Sequence, residues 1–230
     1  MLMRKIVLFI SACSFFLSLR SQNVDQSFRP IFMGGVVASQ VDGDTYAGYH
    51  KLGYFLGLGI NRQLSKKVEM EFGITLLQKG ARKNYATDSA SLNNPNNQFY
   101  LIRLNYVEVP LFIRIHAYKK FKFEFGGAFA YLIKNPPFEE NQNGYYNNKS
   151  IKNFDYSYLI GLGYQLKPNV FVNLRYEYSI IPFRDYYQST AGIYHGQFPY
   201  NLFNTGLYNN LLILSFNYKL PPKATGTDGQ

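Results

Sequence analysis

Through most of the chain apolar residues alternate with polar or small ones at a spacing of two, the pattern of strands with two unlike faces. In residues 52–61, Leu52, Tyr54, Leu56, Leu58 and Ile60 alternate with Gly53, Phe55, Gly57, Gly59 and Asn61. In residues 68–79, Val68, Met70, Phe72, Ile74 and Leu76 face away from Glu69, Glu71, Gly73 and Thr75. Residues 121–134 set Phe121, Phe123, Phe125, Phe129 and Tyr131 against Lys122, Glu124, Gly126, Ala128 and Ala130. The rule repeats in 154–166, with Tyr156 to Tyr164 against Ser157, Gly161, Gly163 and Gln165. It repeats again in 170–181, with Val170 to Tyr178 against Asn173, Arg175, Glu177 and Ser179. In 208–220, Leu212 to Leu220 oppose Ser215, Asn217 and Lys219, and residues 28–40 carry the weakest version.

Residues 99–116 form the longest such segment, and their alternation has a fault. Ile102, Leu104 and Tyr106 are apolar at even positions, whereas from Val107 onward Val109, Leu111, Ile113 and Ile115 are apolar at odd ones. One inserted residue, a β-bulge near Tyr106 and Val107, restores a continuous apolar face. Pro110, which has no N–H to give to a ladder, then belongs at a bulge, an edge or a strand end.

Eight strands of about 10–13 residues result, each long enough to cross a bilayer, for which about 9–11 suffice. Short turns (64–67, 117–120, 167–169) join some of them; longer connections (41–51, 81–98, 135–153, 182–206) join the others. This asymmetry and the even count predict an all-β, eight-stranded antiparallel up-and-down transmembrane β-barrel of the outer membrane. Its turns lie on the periplasmic side and its loops outside. The barrel covers residues 22–220, with a flexible tail at 221–230.

Composition sharpens the picture in three ways. No apolar run after the N-terminus is long enough for a spanning helix. The 21 Tyr and 20 Phe, with no Trp, suit strands and membrane–water interfaces. The net charge of +10 is dispersed apart from Lys66–Lys67 and Lys119–Lys120, which argues against nucleic acid and for head groups at the turns.

Residues 1–21 read as a signal peptide, with Arg4 and Lys5 before an apolar stretch and Ser21 before the cleavage point. Its removal takes three basic residues (Arg4, Lys5, Arg20) from the +10, leaving +7. The one cysteine, Cys13, leaves with it; the preceding Ile10-Ser11-Ala12 loosely resembles a lipoprotein signal, but apolar sequence continues beyond it. The mature chain then has no disulfide and no thiolate metal site.

If the apolar rows face lipid, the opposite rows line the lumen. They carry Glu69, Glu71, Arg103, Glu108, Arg114, Lys122, Glu124, Arg175 and Glu177, five acids and four bases. Eight strands enclose only enough room for side chains. Charges in so narrow a space must interlock as ion pairs and hydrogen bonds. The expectation is a plugged barrel; a proton or ion relay is the functional alternative for the same residues.

Two stretches carry a family resemblance: Gly73-Ile74-Thr75-Leu76-Leu77-Gln78-Lys79-Gly80-Ala81 and Leu104-Asn105-Tyr106-Val107-Glu108-Val109-Pro110-Leu111. With the signal ending before Gln22, they resemble the porin-family, PorT-like outer-membrane β-barrel proteins of Bacteroidetes. The resemblance implies an eight-stranded barrel, and its named member is an accessory protein of the type IX secretion system. The chain departs from such barrels at its end, where Pro221 to Gln230 follow the last strand; Phe216 and Tyr218 are left to carry an internal assembly signal.

Catalytic chemistry finds little support. His50 and His195 fall on the loop side with Asp42, Asp44, Asp185 and Ser189, but nothing in their spacing assembles a His–Ser pair for acyl transfer. His116 reads as an interfacial or lumen residue. No phosphate-binding loop or metal-ligand spacing is present, so no cofactor is expected. Asp88-Ser89-Ala90 matches a short O-glycosylation motif of Bacteroidetes. The Tyr- and Asn-rich loops make Tyr145, Tyr146, Tyr186, Tyr187, Phe198 and Tyr200 candidate contacts for an external ligand, against the plainer reading of a girdle with tolerated surface loops.

The sequence therefore predicts a non-enzymatic structural or interaction barrel in contact with outer-membrane lipids and possible envelope partners. A small passive porin-type transport barrel is the alternative. A secreted lipocalin-type barrel would need the two faces exchanged.

Overall fold

The computed structural model describes residues 27–44, 48–84, 99–133, 139–141, 144–146, 151–185 and 206–221. Eight long strands carry the architecture: β1 (Phe28–Asp42), β2 (Lys51–Gln63), β3 (Val68–Lys83), β4 (Tyr100–Tyr118), β5 (Phe121–Leu132), β8 (Phe154–Lys167), β9 (Val170–Ser179) and β11 (Gly206–Lys219). Three short ones, β6 (Glu139–Asn141), β7 (Gly144–Tyr146) and β10 (Arg184–Asp185), lie within connections that the alternation marks as loops. The long strands pair antiparallel in the order β3-β2-β1-β11-β9-β8-β5-β4, and β4 pairs back with β3 to close the ring. Closure by the first and last strands, from Ile31 opposite Lys219 to Asp42 opposite Tyr208, leaves no open edge in the wall.

The two faces divide as the alternation demands. Leu58 is 61 % exposed and Phe123 55 %, whereas Arg175 and Glu71 are 1 % exposed. On β1 the apolar outer row runs from Phe28 to Ala38, about 33 Å along the strand and about 25 Å along the axis of a tilted barrel, the height of a hydrocarbon belt. Beyond it Gln40 and Asp42 are hydrogen-bonded to each other at 2.8 Å, and polar side chains take over. Outer aromatic side chains cluster toward both ends: Phe121 lies 4.9 Å from Tyr164 at the short-turn end, and Phe129 packs on Phe154 and Tyr156 toward the loops.

The bulge expected near Tyr106 and Val107 is absent. Across that point β4 keeps one register with β3, from Tyr100 opposite Lys83 to Ile115 opposite Val68, and against β5 a shift comes only between His116 and Tyr118. Even-numbered residues point inward throughout, so parity never changes; polarity does. In the loop-side half the interior is apolar (Ile102, Leu104, Tyr106) and in the other half it is charged (Glu108, Arg114). The outer face inverts in the opposite sense, from Arg103 and Asn105 to Leu111 and Ile115. Pro110 sits mid-strand opposite Ala128 of β5. On the β3 side the ladder skips from Phe72–Leu111 to Thr75–Glu108 without changing register, the gap that a residue with no N–H leaves.

The wall also runs farther toward the loops than the hydrophobic pattern of β3 marks. β3 continues to Lys83 and pairs with Tyr100 and Leu101, and β6 and β7 extend the wall outward from β4. The signal peptide, Cys13, Asp88-Ser89-Ala90 and residues 222–230 lie outside the described residues.

Candidate functional site

The interior holds three layers of charge along the axis. Nearest the short turns, Glu69 accepts hydrogen bonds from Lys122 at 2.9 Å, Lys219 at 3.2 Å and Asn61 at 3.2 Å, and His116 Nε2 lies 2.8 Å away. Lys122 and Lys219 both lie over the Phe171 ring, at 4.3 and 5.2 Å. In the middle layer Arg114 forks onto both oxygens of Glu71 and donates to Glu124 at 2.6 Å. Glu124 is bound in turn by Arg175 at 2.7 Å and Asn173 at 2.6 Å, and the Arg175 guanidinium lies 4.3 Å from the Phe112 ring centroid. Planar guanidinium groups suit such a layer because they satisfy carboxylates in pairs and stack on aromatic faces.

The third layer surrounds Lys79. Its ammonium contacts Glu177, lies 3.0 Å from Asp155 and 3.2 Å from Glu108, and lies 5.1 Å from the Tyr106 ring centroid. Ser157 donates to Glu177 at 3.0 Å and Asn209 to Asp155 at 2.9 Å. One ammonium thus faces three carboxylates, whereas two lysines face one carboxylate at the opposite end. The middle layer balances two against two.

Local sequence explains these placements. Glu69, Glu71, Thr75 and Lys79 share one parity on β3, and Asp155 and Ser157 share one on β8. Glycines opposite the long side chains make the room: a Cβ on Gly161 would come within 2.9 Å of Arg175 Cγ, and one on Gly163 within 3.1 Å of Asn173 Oδ1.

Toward the loops the lumen is closed by apolar packing. Val41, Leu77, Ala81, Ile102, Leu104, Leu132, Ile151, Phe183 and Leu211 form one buried cluster. Arg184 and Glu139 form an ion pair there, Tyr100 donates to Glu139 at 3.2 Å, and Phe183 N–H donates to Leu207 O at 2.8 Å.

Of the expected lumen residues, Glu69, Glu71, Glu108, Arg114, Lys122, Glu124, Arg175 and Glu177 are brought together inside. Arg103 is not: it lies on the outer face of β4, half exposed, 3.8 Å from Glu140. An apolar face continued through a bulge puts Ile102, Leu104 and Tyr106 toward lipid and Arg103 inside; the residues lie the other way round because the interior of this half is apolar. Lys79, Asp155 and Lys219 are central as well: Lys219 stands in the polar row of its strand with Ser215 and Asn217, and Lys79 and Asp155 keep the parity of the lumen rows at the margins of theirs.

His50 is exposed, Asp42 binds Asn210 at 3.0 Å and Asp185 binds Lys152 at 2.7 Å. His195 and Ser189 lie outside the described residues, as do Tyr186, Tyr187, Phe198 and Tyr200. Tyr145 and Tyr146 are in β7. No group of three or more metal-ligating side chains occurs among the described residues.

The family model described as "Outer membrane protein beta-barrel domain" matches residues 15–185. No curated protein matches the sequence significantly. Among solved structures, Neisserial surface protein A is 11 % identical over 83 % of this chain and 97 % of its own, with a TM-score of 0.46. The attachment invasion locus protein Ail of Yersinia pestis, in complex with the heparin analogue sucrose octasulfate, is 11 % identical over 85 % and 99 %, with a TM-score of 0.44. OprG of Pseudomonas aeruginosa is 12 % identical over 85 % and 97 %, with a TM-score of 0.37.

Proposed function

Because the chain belongs to the outer membrane protein beta-barrel domain family and is a multi-pass barrel of the outer membrane, we propose that it is a non-enzymatic structural or interaction protein, closed to solutes, that acts through its outer wall and loops. The observation that carries this reading is the filled lumen. Three cross-braced ionic layers and an apolar plug at Phe183 and Ile151 occupy the space a solute would need. Relaying protons would require donors and acceptors continuous along the axis, and the apolar plug interrupts them at the loop end. The resemblance of residues 73–81 and 104–111 to the PorT-like group of Bacteroidetes supports, within this reading, an accessory place in an envelope assembly.

The two motifs of that resemblance are cross-strand partners. Gln78 pairs with Asn105, Leu77 with Tyr106 and Lys79 with Leu104. They build both the Lys79 layer inside and a polar step outside, which gives the pattern a physical reason.

The test is co-purification from native membranes in mild detergent, with cross-linking mass spectrometry. The reading predicts an envelope partner held in fixed stoichiometry and released when residues 186–205 are shortened. A barrel recovered alone that also makes sugar-loaded liposomes permeable would overturn it in favour of a porin-type transport barrel.

A further inference from the structure

Every short turn of the barrel carries lysine. The turn between β2 and β3 holds Lys66 and Lys67, the turn between β4 and β5 holds Lys119 and Lys120, and the turn between β8 and β9 starts from Lys167. None of the three contains an Asp or a Glu. All five lysines are exposed, and among the described residues none has a carboxylate within ion-pair distance. Glu69, which follows the first turn, points inward, is 2 % exposed, and is engaged by Lys122 and Lys219 inside the lumen.

The loop end differs. There Arg103 faces Glu140, Lys152 faces Asp185 and Arg184 faces Glu139. Exposed charge of one sign is thus gathered at one end of the molecule, where the protein supplies nothing to offset it.

The backbone holds these lysines at a fixed depth. Each turn is laced to the neighbouring strand: His116 N–H donates to Lys67 O at 2.8 Å, Gln165 N–H to Lys120 O at 2.9 Å, and Lys219 N–H to Asn169 O at 2.9 Å. The turns therefore continue the wall and do not project from it. Exposed apolar side chains flank each one: Leu64 before Lys66, Tyr118 and Phe121 on either side of Lys119 and Lys120, and Leu166 before Lys167. Those side chains mark the edge of the hydrocarbon belt, where aromatic rings sit at the membrane–water interface. The Lys119 ammonium lies 5.0 Å from the Tyr118 ring centroid, at that edge. A lysine so placed runs its stem along apolar surface and sets its ammonium among the lipid phosphates.

We propose that the short-turn rim recruits anionic phospholipid of the periplasmic leaflet. The ammonium groups act as point charges on the phosphate diesters, and three turns spaced around the mouth gather several such lipids at once. An acidic soluble protein shares the charge; the depth of the lysines, level with the last lipid-facing side chains, argues for the lipid.

Electron spin resonance of the barrel in mixed liposomes tests this, with spin-labelled phosphatidylglycerol and spin-labelled phosphatidylethanolamine as separate probes of the lipid held at the protein. The wild type is expected to hold the first in preference to the second, and to lose the preference as salt is raised. Lys119→Gln with Lys120→Gln is expected to lower it about fivefold, the weight of one well-placed basic side chain at an anionic surface. Replacing all five lysines by Gln is expected to abolish it, whereas Lys152→Gln, at the loop end, leaves it unchanged. The five lysines lie in exposed turns, and heat-modified gel migration reports assembly. Equal association of the two lipids with the wild type, or a preference that survives replacement of all five lysines, would overturn the proposal. So would an acidic soluble protein held by the rim in the absence of any lipid preference.

Discussion

Lys79→Met is expected to lower the stability of the barrel by about 3–5 kcal/mol, enough to prevent assembly at ordinary temperature, because it strips the cation from a buried ionic cluster. Glu108, Asp155 and Glu177 would be left facing one another with no water to dilute their repulsion, each at most 1 % exposed. Side-chain volume changes little, so the loss reports charge and not packing. Adding Glu177→Gln to Lys79→Met removes one abandoned carboxylate and is expected to recover part of the loss. The measurement is the urea midpoint in liposomes, followed by circular dichroism or tyrosine fluorescence, since the chain has no Trp. A Lys79→Met barrel within about 1 kcal/mol of the wild type would mean that this lysine is dispensable, a result no account based on buried-pair energetics tolerates.

The second large effect concerns the opposite face. Leu56 lies opposite Gly34 of β1 and Leu76 of β3, near the middle of the apolar belt, and is 56 % exposed in the isolated chain. In the membrane that surface is covered by hydrocarbon. Leu56→Arg is therefore expected to cost about 2–4 kcal/mol, the penalty for arginine at the midplane of a barrel wall. Ser65→Arg, in the short turn at the head-group level, is expected to stay within about 0.5 kcal/mol of the wild type. For a water-soluble barrel with this face in solvent, Leu56→Arg would cost nothing, and the two substitutions would be indistinguishable. Urea titration in liposomes against detergent micelles separates the cases.

These two residues show what the sequence made legible and what it hid. Leu56 is legible because β2, β3, β5, β8 and β9 keep an apolar outer row through the membrane belt, against an inner row that is mostly small, polar or charged and takes in Phe55, Leu77, Leu132, Leu159 and Phe171. Period two then fixes every side chain at once, and the strand count and the long–short rhythm of connections follow. Most of the interior charge network was legible for the same reason.

The loop-side half of β4 was not. There the interior is filled by Ile102, Leu104 and Tyr106 while the exterior carries Arg103 and Asn105, so polarity inverts across both faces while parity holds. A sequence cannot distinguish that inversion from an inserted residue, because both shift the apolar positions by one. Taken as an insertion, the shift implies a bulge where the register is in fact continuous, and it sends Arg103 inward. Knowing that the ends of a small barrel rise above the hydrocarbon and close over their own apolar plug resolves the ambiguity: polar side chains then belong outside.

Lys79 and Asp155 were hidden differently. Each lies at the margin of its pattern, where strand and loop are hard to separate, and the significance of each depends on partners far along the chain. Glu108 and Glu177 come to Lys79 from strands on different sides of the ring. Only closure brings them together.

The most direct measurement is single-barrel conductance in a planar bilayer, at neutral pH and high salt. The ionic braces around Glu69, Glu124 and Lys79, with the apolar closure at Phe183, predict a baseline indistinguishable from the bare membrane. Arg114→Ala with Glu124→Ala, in any fraction that assembles, is predicted to give flickering currents. Steady openings of the wild-type monomer on the order of a nanosiemens, the behaviour of wider barrels that leave an aqueous channel, would contradict a filled interior.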